Sequence, residues 1–365
     1  MGITPFFSFL LIVLLYIVIK HFYDEKIAFF SAVFLLLCPL YLRHSVRVLN
    51  HVEFAFFFSM ALFSFRKGLQ GRFWWFFLSG ILGGLAFLTR YVGVMYIPVM
   101  GLYVLLERKT EFYKEKGCYL SFFSFFIPVI PWALFSNEVY NGYYEFMRVA
   151  MAVIPTDDFM HTVQYIAVTI LELTPFFILF TILGIKRLKR DSFFLAYFCG
   201  TLLTLVLLRH REPRFILDFS PVLALSAGVF AASIYERKKT LIHVVIILLL
   251  LQSAGEVVYT SQFELHIKEA GLYIAQSPVK GAVIANEEAQ MYYYTQRKVY
   301  FYPLSEKESK ILLQEDAAFF VVNHCSPPPY LDELLQNSQW ELIFATEKGC
   351  GASIYSGKNF VFDFV

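Results

Sequence analysis

About ten apolar runs of near-membrane length follow one another before residue 255, separated by short charged loops. They are residues 3–19, 27–42, 52–65, 73–89, 91–106, 119–135, 161–183, 193–208, 215–234 and 240–254. A bilayer-crossing helix needs about 20 mainly apolar residues. In lipid each such segment must satisfy its own backbone, and a helix does so. The balance of residues agrees: 58% are hydrophobic and 16% charged, against roughly 25% charged in soluble domains. Such a chain cannot cover its apolar surface with water-facing groups. Its 42 Phe and 23 Tyr suit lipid-facing helices and interfacial aromatic belts. The net charge of +2 gives no reason to propose nucleic acid as a partner. Residues 1–254 therefore read as a polytopic all-α membrane domain of about ten spans.

Lys and Arg in short loops set the orientation. One alternate set holds Lys20 and Lys26; Arg66, Lys67 and Arg72; Arg108, Lys109, Lys114 and Lys116; Lys186, Arg187, Lys189 and Arg190; and Arg237, Lys238 and Lys239. The other holds Arg43, Arg47, Arg90, Arg148, Arg209, Arg211 and Arg214. The first set, at about 16 against about 7, is the cytoplasmic one. Both termini then face outward. The N-terminus lacks a basic leader and a small-residue cleavage site, so it does not read as a cleavable signal.

The outer face collects most of the unexpected polar residues. It holds Arg43, His44, Ser45 and Arg47 through His51 and Glu53, the Thr89-Arg90-Tyr91 reversal, and a long polar loop from Ser136 to Met160. His210-Arg211-Glu212-Pro213-Arg214-Phe215, between two apolar runs, completes it. Arg211 and Arg214 suit a phosphate, since guanidinium offers paired donors; they equally suit interfacial anchoring with an internal pair to Glu212. Asp157-Asp158 suits a divalent cation or a helix cap. Glu53 suits a catalytic or cation-binding role, or a carboxylate favoured at a helix start. His44, His51, His161 and His210 are a metal set or scattered interfacial residues. Gly80 and Gly84 suit close helix packing. Glu172 is the one charge read deep within a span, and with no paired broken helices beside it a transporter is the less favoured reading.

After residue 255 strand-like and helix-like runs alternate. Residues 281–285, 298–302, 317–323, 340–345 and 349–356 read as strands; 265–276, 287–294, 306–314 and 329–335 read as helices. The alternation predicts a small extracytoplasmic α/β domain over 255–365 with a largely parallel sheet. Cys325 and Cys350 both fall there, without zinc spacing or a close pair.

Three stretches carry a resemblance. His210 to Phe215, with Ile216, Leu217 and Pro221, resembles the basic-acidic-Arg-Phe signature of the GT-C glycosyltransferase superfamily. Gly80 to Tyr91 is similar to the Gly-Leu-Ala, Leu-Thr-Lys-Tyr segment of its protein-mannosyltransferase-like members. Ala28 to Pro39 followed by Ser45 resembles a third segment, whose usual Asp would fall near Asn50. The resemblance covers roughly residues 1–235.

It implies an enzyme that takes a sugar from a polyprenyl-phosphate carrier at the non-cytoplasmic face. Arg90, Arg211, Arg214 and His210 would bind the donor phosphate. Glu53, Asp157 and Asp158 are the candidate catalytic acids, and Arg43, Arg47, Tyr91 and Glu212 support the outer face. A divalent cation, Mg or Mn, is the one cofactor implied. The resemblance also implies an acidic outer loop after a first span, whereas this chain opens at the following span. The expectation is a start placed too late, a split gene, or an inactive relative. The rival reading is a degenerate or accessory membrane subunit that binds carrier lipid or a partner transferase.

Overall fold

A computed structural model describes residues 3–45, 50–108, 115–140, 173–207, 213–263, 265–285, 288–300, 317–324, 340–347 and 351–357. The chain divides into two compact units, Met1–Ala254 and Gly255–Val365.

The first unit is helical. In order come α1 (Ile3–Phe22), α2 (Glu25–Leu36), α3 (Pro39–Ser45), α4 (His51–Leu69), α5 (Trp74–Thr89), α6 (Tyr96–Arg108), α7 (Lys116–Tyr140), α8 (Pro175–Leu188), α9 (Ser192–Leu207), α10 (Ser220–Tyr235) and α11 (Lys239–Phe263). A 3-10 turn, Tyr91–Met95, links α5 to α6, and another, Pro213–Phe219, leads into α10. Among the described residues five helical segments are long and apolar enough to cross a membrane: Ile3–Phe22, Tyr91–Arg108, Lys116–Glu138, Phe215–Tyr235 and Lys239–Val258. The run at 27–42 is not one straight span, because α2 and α3 meet at 65°. Pro39 explains the break: it has no N–H for the helix ladder and pushes the preceding residue out of the α region. Counted as one span, the bent pair brings the total to six, and two shorter apolar helices, Trp74–Thr89 and Ser192–Leu203, lie beside them. The polar stretch expected from Ser136 begins as helix, since α7 runs on to Tyr140.

Lipid is as apolar as Leu, so packing contacts and interhelical hydrogen bonds hold such helices together. α5 lies close on α7 through Gly80 and Gly84. A methyl group at Gly80 would collide with the Ser121 carbonyl and the Ser124 hydroxyl, and one at Gly84 with the Phe125 carbonyl. α10 is the most enclosed span; its small residues Ala224, Ala227, Gly228 and Ala231 let α2 and α8 approach. Hydroxyls bridge the helices. Ser59 meets Tyr197 at 2.8 Å between α4 and α9, Ser8 donates to Tyr41 at 2.9 Å between α1 and α3, and Ser226 donates to the Thr181 carbonyl at 2.7 Å between α10 and α8.

One end of the bundle is tied by Arg66 on α4. Its guanidinium sits over the rings of Phe22, Tyr23 and Phe193 and donates to Tyr23 Oη at 3.0 Å. Tyr23 donates in turn to Asp191 Oδ2 at 2.8 Å. Burial pushes the Tyr23 phenol above its ordinary value, so it stays a donor.

The second unit holds α12 (Leu265–Gln276), α13 (Glu288–Thr295) and a five-stranded sheet of order β2-β1-β3-β5-β4. The strands are β1 (Ala282–Ile284), β2 (Val299–Tyr300), β3 (Ala317–Asn323), β4 (Trp340–Thr346) and β5 (Ala352–Gly357). α12 turns Ile267, Ala270 and Ile274 onto a core of Val283, Phe319, Val321 and Ile354. The sheet is mixed, which corrects the expectation of a largely parallel one. β1 pairs in parallel with β2 and β3, while β5 is antiparallel to both β3 and β4. The connections decide this: β1 reaches β2 through α13, as a parallel pair requires, whereas only five residues separate β4 from β5, too few for a parallel crossover, and Gly351 just before β5 has a φ of +74°. The expected helices at 306–314 and 329–335, with Cys325 and Cys350, lie outside the described residues.

Candidate functional site

The start of α4, the end of α5 and the Pro213–Phe219 turn come together, and a buried ionic cluster forms there. Arg90 follows the last turn of α5 in an extended conformation, with φ −151° and ψ 131°. Its own N–H still bonds the Ala86 carbonyl at 3.0 Å and its carbonyl accepts from Gly93, so the reversal into α6 is tight. Asn50, just before α4, donates from Nδ2 to the Thr89 carbonyl at 2.6 Å. That bond satisfies one of the carbonyls a helix leaves unpaired at its C-terminus. It also fixes the start of α4 against the end of α5.

His51, the first residue of α4, meets Asp218 through Nδ1···Oδ1 at 2.8 Å. Arg90 Nη1 donates to the same Asp218 Oδ1 at 2.9 Å and lies 3.1 Å from His51 Nε2. With the Nδ1 proton on the carboxylate, Nε2 is left as an acceptor. The Arg90 guanidinium also stands 5.0 Å from the Phe215 ring centroid, and the His51 ring 5.8 Å from it. Asp218 is 0% exposed, His51 5% and Arg90 10%. Withdrawing charges from water this far is costly unless they are paired, and here one carboxylate is shared by two donors. Asp218 Oδ2 is enclosed and no described residue hydrogen-bonds to it. An enclosed carboxylate oxygen without a donor is uncommon and marks a place to look for function.

Glu53 shares α4 with His51 but points elsewhere. At 100° per residue the two lie about 200° apart around the helix. Glu53 is buried against α1, where Thr4 donates to Oε1 at 2.7 Å. Its Oε2 is likewise enclosed without a hydrogen bond to a described residue.

The structure thus brings Arg90 together with His51 and Asp218, and places Glu53 on another face of the same helix. Arg43 is part-buried in the last turn of α3, beside the buried His44, whose ring is 6.5 Å from that of His51. Tyr91 opens the turn after Arg90 and is exposed. Arg214 lies on the same 3-10 turn as Asp218. Asp157, Asp158, His161, Glu172, His210, Arg211, Glu212 and Arg47 fall outside the described residues. The sequence reading missed Asp218, taking Glu172 as the charge within a span. The signal was present: one carboxylate interrupts the apolar run Phe215-Ile216-Leu217-Asp218-Phe219, and a charge inside such a run is a functional candidate by default.

A divalent cation does not fit this cluster. Mg2+ and Mn2+ take oxygen ligands in a shell, but among the described residues the cluster offers one carboxylate, with an arginine in contact with it. Among the described residues no three His, Cys, Asp or Glu side chains gather as a metal site. Arg90 itself supplies positive charge there.

Residues 5–135 match the family model for dolichyl-phosphate-mannose-protein mannosyltransferases, and residues 159–302 match that for the Alg9-like mannosyltransferase family. The fold is similar to the crystal structure of ArnT from Cupriavidus metallidurans in the apo state, with TM-score 0.62, 13% identity, and 98% of this chain and 83% of that chain covered. It is also similar to ArnT from the same organism bound to undecaprenyl phosphate, with TM-score 0.64, 13% identity, and 99% and 83% covered. Among curated proteins no relative matches. Two membrane-glycosyltransferase family models, each matching less than half of the chain, and this shared fold make the chain similar to multi-pass membrane proteins of the GT-C glycosyltransferase superfamily.

Proposed function

We propose that this protein transfers a sugar from a polyprenyl-phosphate carrier to an acceptor at the outer face of the membrane. The observation that carries the reading is Arg90, pinned by Asp218 and His51 at one end of the bundle, in a fold that an ArnT bound to undecaprenyl phosphate shares. A guanidinium fixed before substrate arrives is suited to a phosphate that gains charge in the transition state. Arg214, on the same turn as Asp218, and Arg211 and His210 beside it in sequence, are the further phosphate ligands. Arg43, Arg47, Tyr91 and Glu212 support that face.

In the reaction the acceptor oxygen forms a bond to the anomeric carbon. The bond from that carbon to the phosphate oxygen breaks, and the carrier phosphate leaves with the electron pair. A carboxylate takes the acceptor's proton as general base; Glu53, Asp157 and Asp158 are the candidates. The carrier's hydrocarbon tail lies among the helices.

One observation favours a second reading, a degenerate or accessory subunit that binds carrier lipid or a partner transferase. Glu53 faces Thr4 and α1, away from the Arg90 cluster. The test is transfer in proteoliposomes supplied with polyprenyl-phosphate-linked sugars and candidate acceptors. Arg90→Ala and Arg214→Ala should each abolish transfer with membrane insertion intact. Normal turnover by Arg214→Ala would remove its phosphate role. Turnover that survives Glu53→Gln combined with Asp157→Asn and Asp158→Asn would remove all three acids. Carrier binding with no transfer by the wild type would establish the accessory reading instead.

A further inference from the structure

We infer that Asp218 is a positioning residue, one that sets which edge of the Arg90 guanidinium meets the carrier phosphate. The inference rests on the phosphate-binding role proposed above for Arg90, and it concerns a residue that none of the motifs included.

All three side-chain polar contacts of Arg90 with described residues run through a single nitrogen, Nη1. They lead to Asp218 and to the His51 ring, where Nε2 is the acceptor, and His51 is itself held by Asp218 through Nδ1. The carboxylate therefore anchors one corner of a planar group directly and again through the imidazole. A guanidinium has five N–H donors in a fixed fork. With Nη1 held, the fork presents Nε and Nη2 together, the side-on pair that binds a phosphate through two parallel hydrogen bonds. Phe215 lies against the guanidinium and hinders it from tipping. Fixing the group beforehand lowers the ordering cost of binding. A lysine, with one point charge, cannot meet Asp218, His51 and a phosphate in this way.

Burial of Asp218 serves the same end. At 0% exposure the carboxylate has no bulk water to exchange Arg90 for, so the pair persists when no carrier is bound. When phosphate arrives, Arg90 bridges two anions, and neither has to give it up.

The experiment uses undecaprenyl monophosphate as the probe, because binding can be read without knowing the sugar or the acceptor. Affinity for the full chain in detergent or nanodiscs would be measured for wild type, Arg90→Ala, Asp218→Asn and the double variant, with and without millimolar guanidinium chloride. Asp218→Asn keeps the shape of the side chain, and an unfolding midpoint for each variant shows that it folds. Arg90→Ala should bind about 10- to 100-fold more weakly, the range for charged hydrogen bonds lost. Free guanidinium should restore much of that loss in Arg90→Ala, because Asp218 and His51 still form its seat. It should restore none in the double variant. Asp218→Asn alone should weaken binding while Arg90 is still present. Equal rescue of the single and double variants would overturn the positioning role, since a merely structural Asp218 would not govern rescue. Absence of binding by the wild type would instead overturn the proposed function, and this inference with it.

Discussion

Asn50 shows how one atom decides a residue's role. The segment that Ala28–Ser45 resembles would put an Asp near this position, yet here the side chain donates to the Thr89 carbonyl, and a carboxylate cannot donate. Asn50→Asp should lose the bond and set charge against a carbonyl, and because the site is exposed the cost should be about 0.5–1.5 kcal/mol. The unfolding midpoint in detergent measures it, and an unchanged midpoint would deny the bond its role. The Arg90–Asp218 pair gives a larger effect with an internal check. Arg90→Ala leaves a buried carboxylate uncompensated and should destabilise by about 3–5 kcal/mol. Adding Asp218→Asn should recover much of that, because the stranded charge is gone. Arg90 was legible in sequence because it stands between two apolar runs within a recognisable segment. Asp218 was not, because it sits in the apolar run before α10 and reads as part of a span. What makes it matter is His51 and Arg90, 167 and 128 residues away, and no local pattern reports a partner at that separation. Glu53 was legible as a carboxylate at a helix start, but not the direction it faces, which depends on where α1 packs.

At the scale of the element, apolar length finds helices and says little about how they break or pair. The 27–42 run contained the signal for its own break in Pro39, and length alone masked it. The strands after residue 280 were readable from their composition, but their partners were not. Pairing direction followed from the connections, a helix between β1 and β2 and only five residues between β4 and β5. Close approach of α5 to α7 was readable from Gly80 and Gly84. The collisions a side chain would cause there lead to a prediction. Gly84→Leu should separate α5 from α7 and lower the unfolding midpoint strongly, because overpacking costs about 1–3 kcal/mol or more. Gly101→Leu, where an added side chain meets open space, should change it little. Equal losses at both positions would mean that helix propensity, not packing, sets the cost.

At the scale of the molecule, the cluster joins the end of α5, the start of α4 and the turn before α10, so three distant parts of the chain must fold before a phosphate ligand is in place. The proposed mechanism needs no cation at Arg90, and chelation with EDTA should leave transfer essentially unchanged. A loss restored by Mg or Mn would shift the account to Asp157 and Asp158. The excess of Lys and Arg in one set of loops puts the second unit outside in the proposed orientation. A membrane-impermeant thiol reagent applied to intact cells should therefore label a cysteine placed at the exposed Tyr292; labelling only after lysis would invert the topology. The most direct test of the central claim is sugar transfer from a polyprenyl-phosphate-linked donor in proteoliposomes, wild type against Arg90→Ala. The account predicts transfer by the wild type and none by the variant, with both inserted and folded. Transfer by Arg90→Ala at the wild-type rate would contradict it.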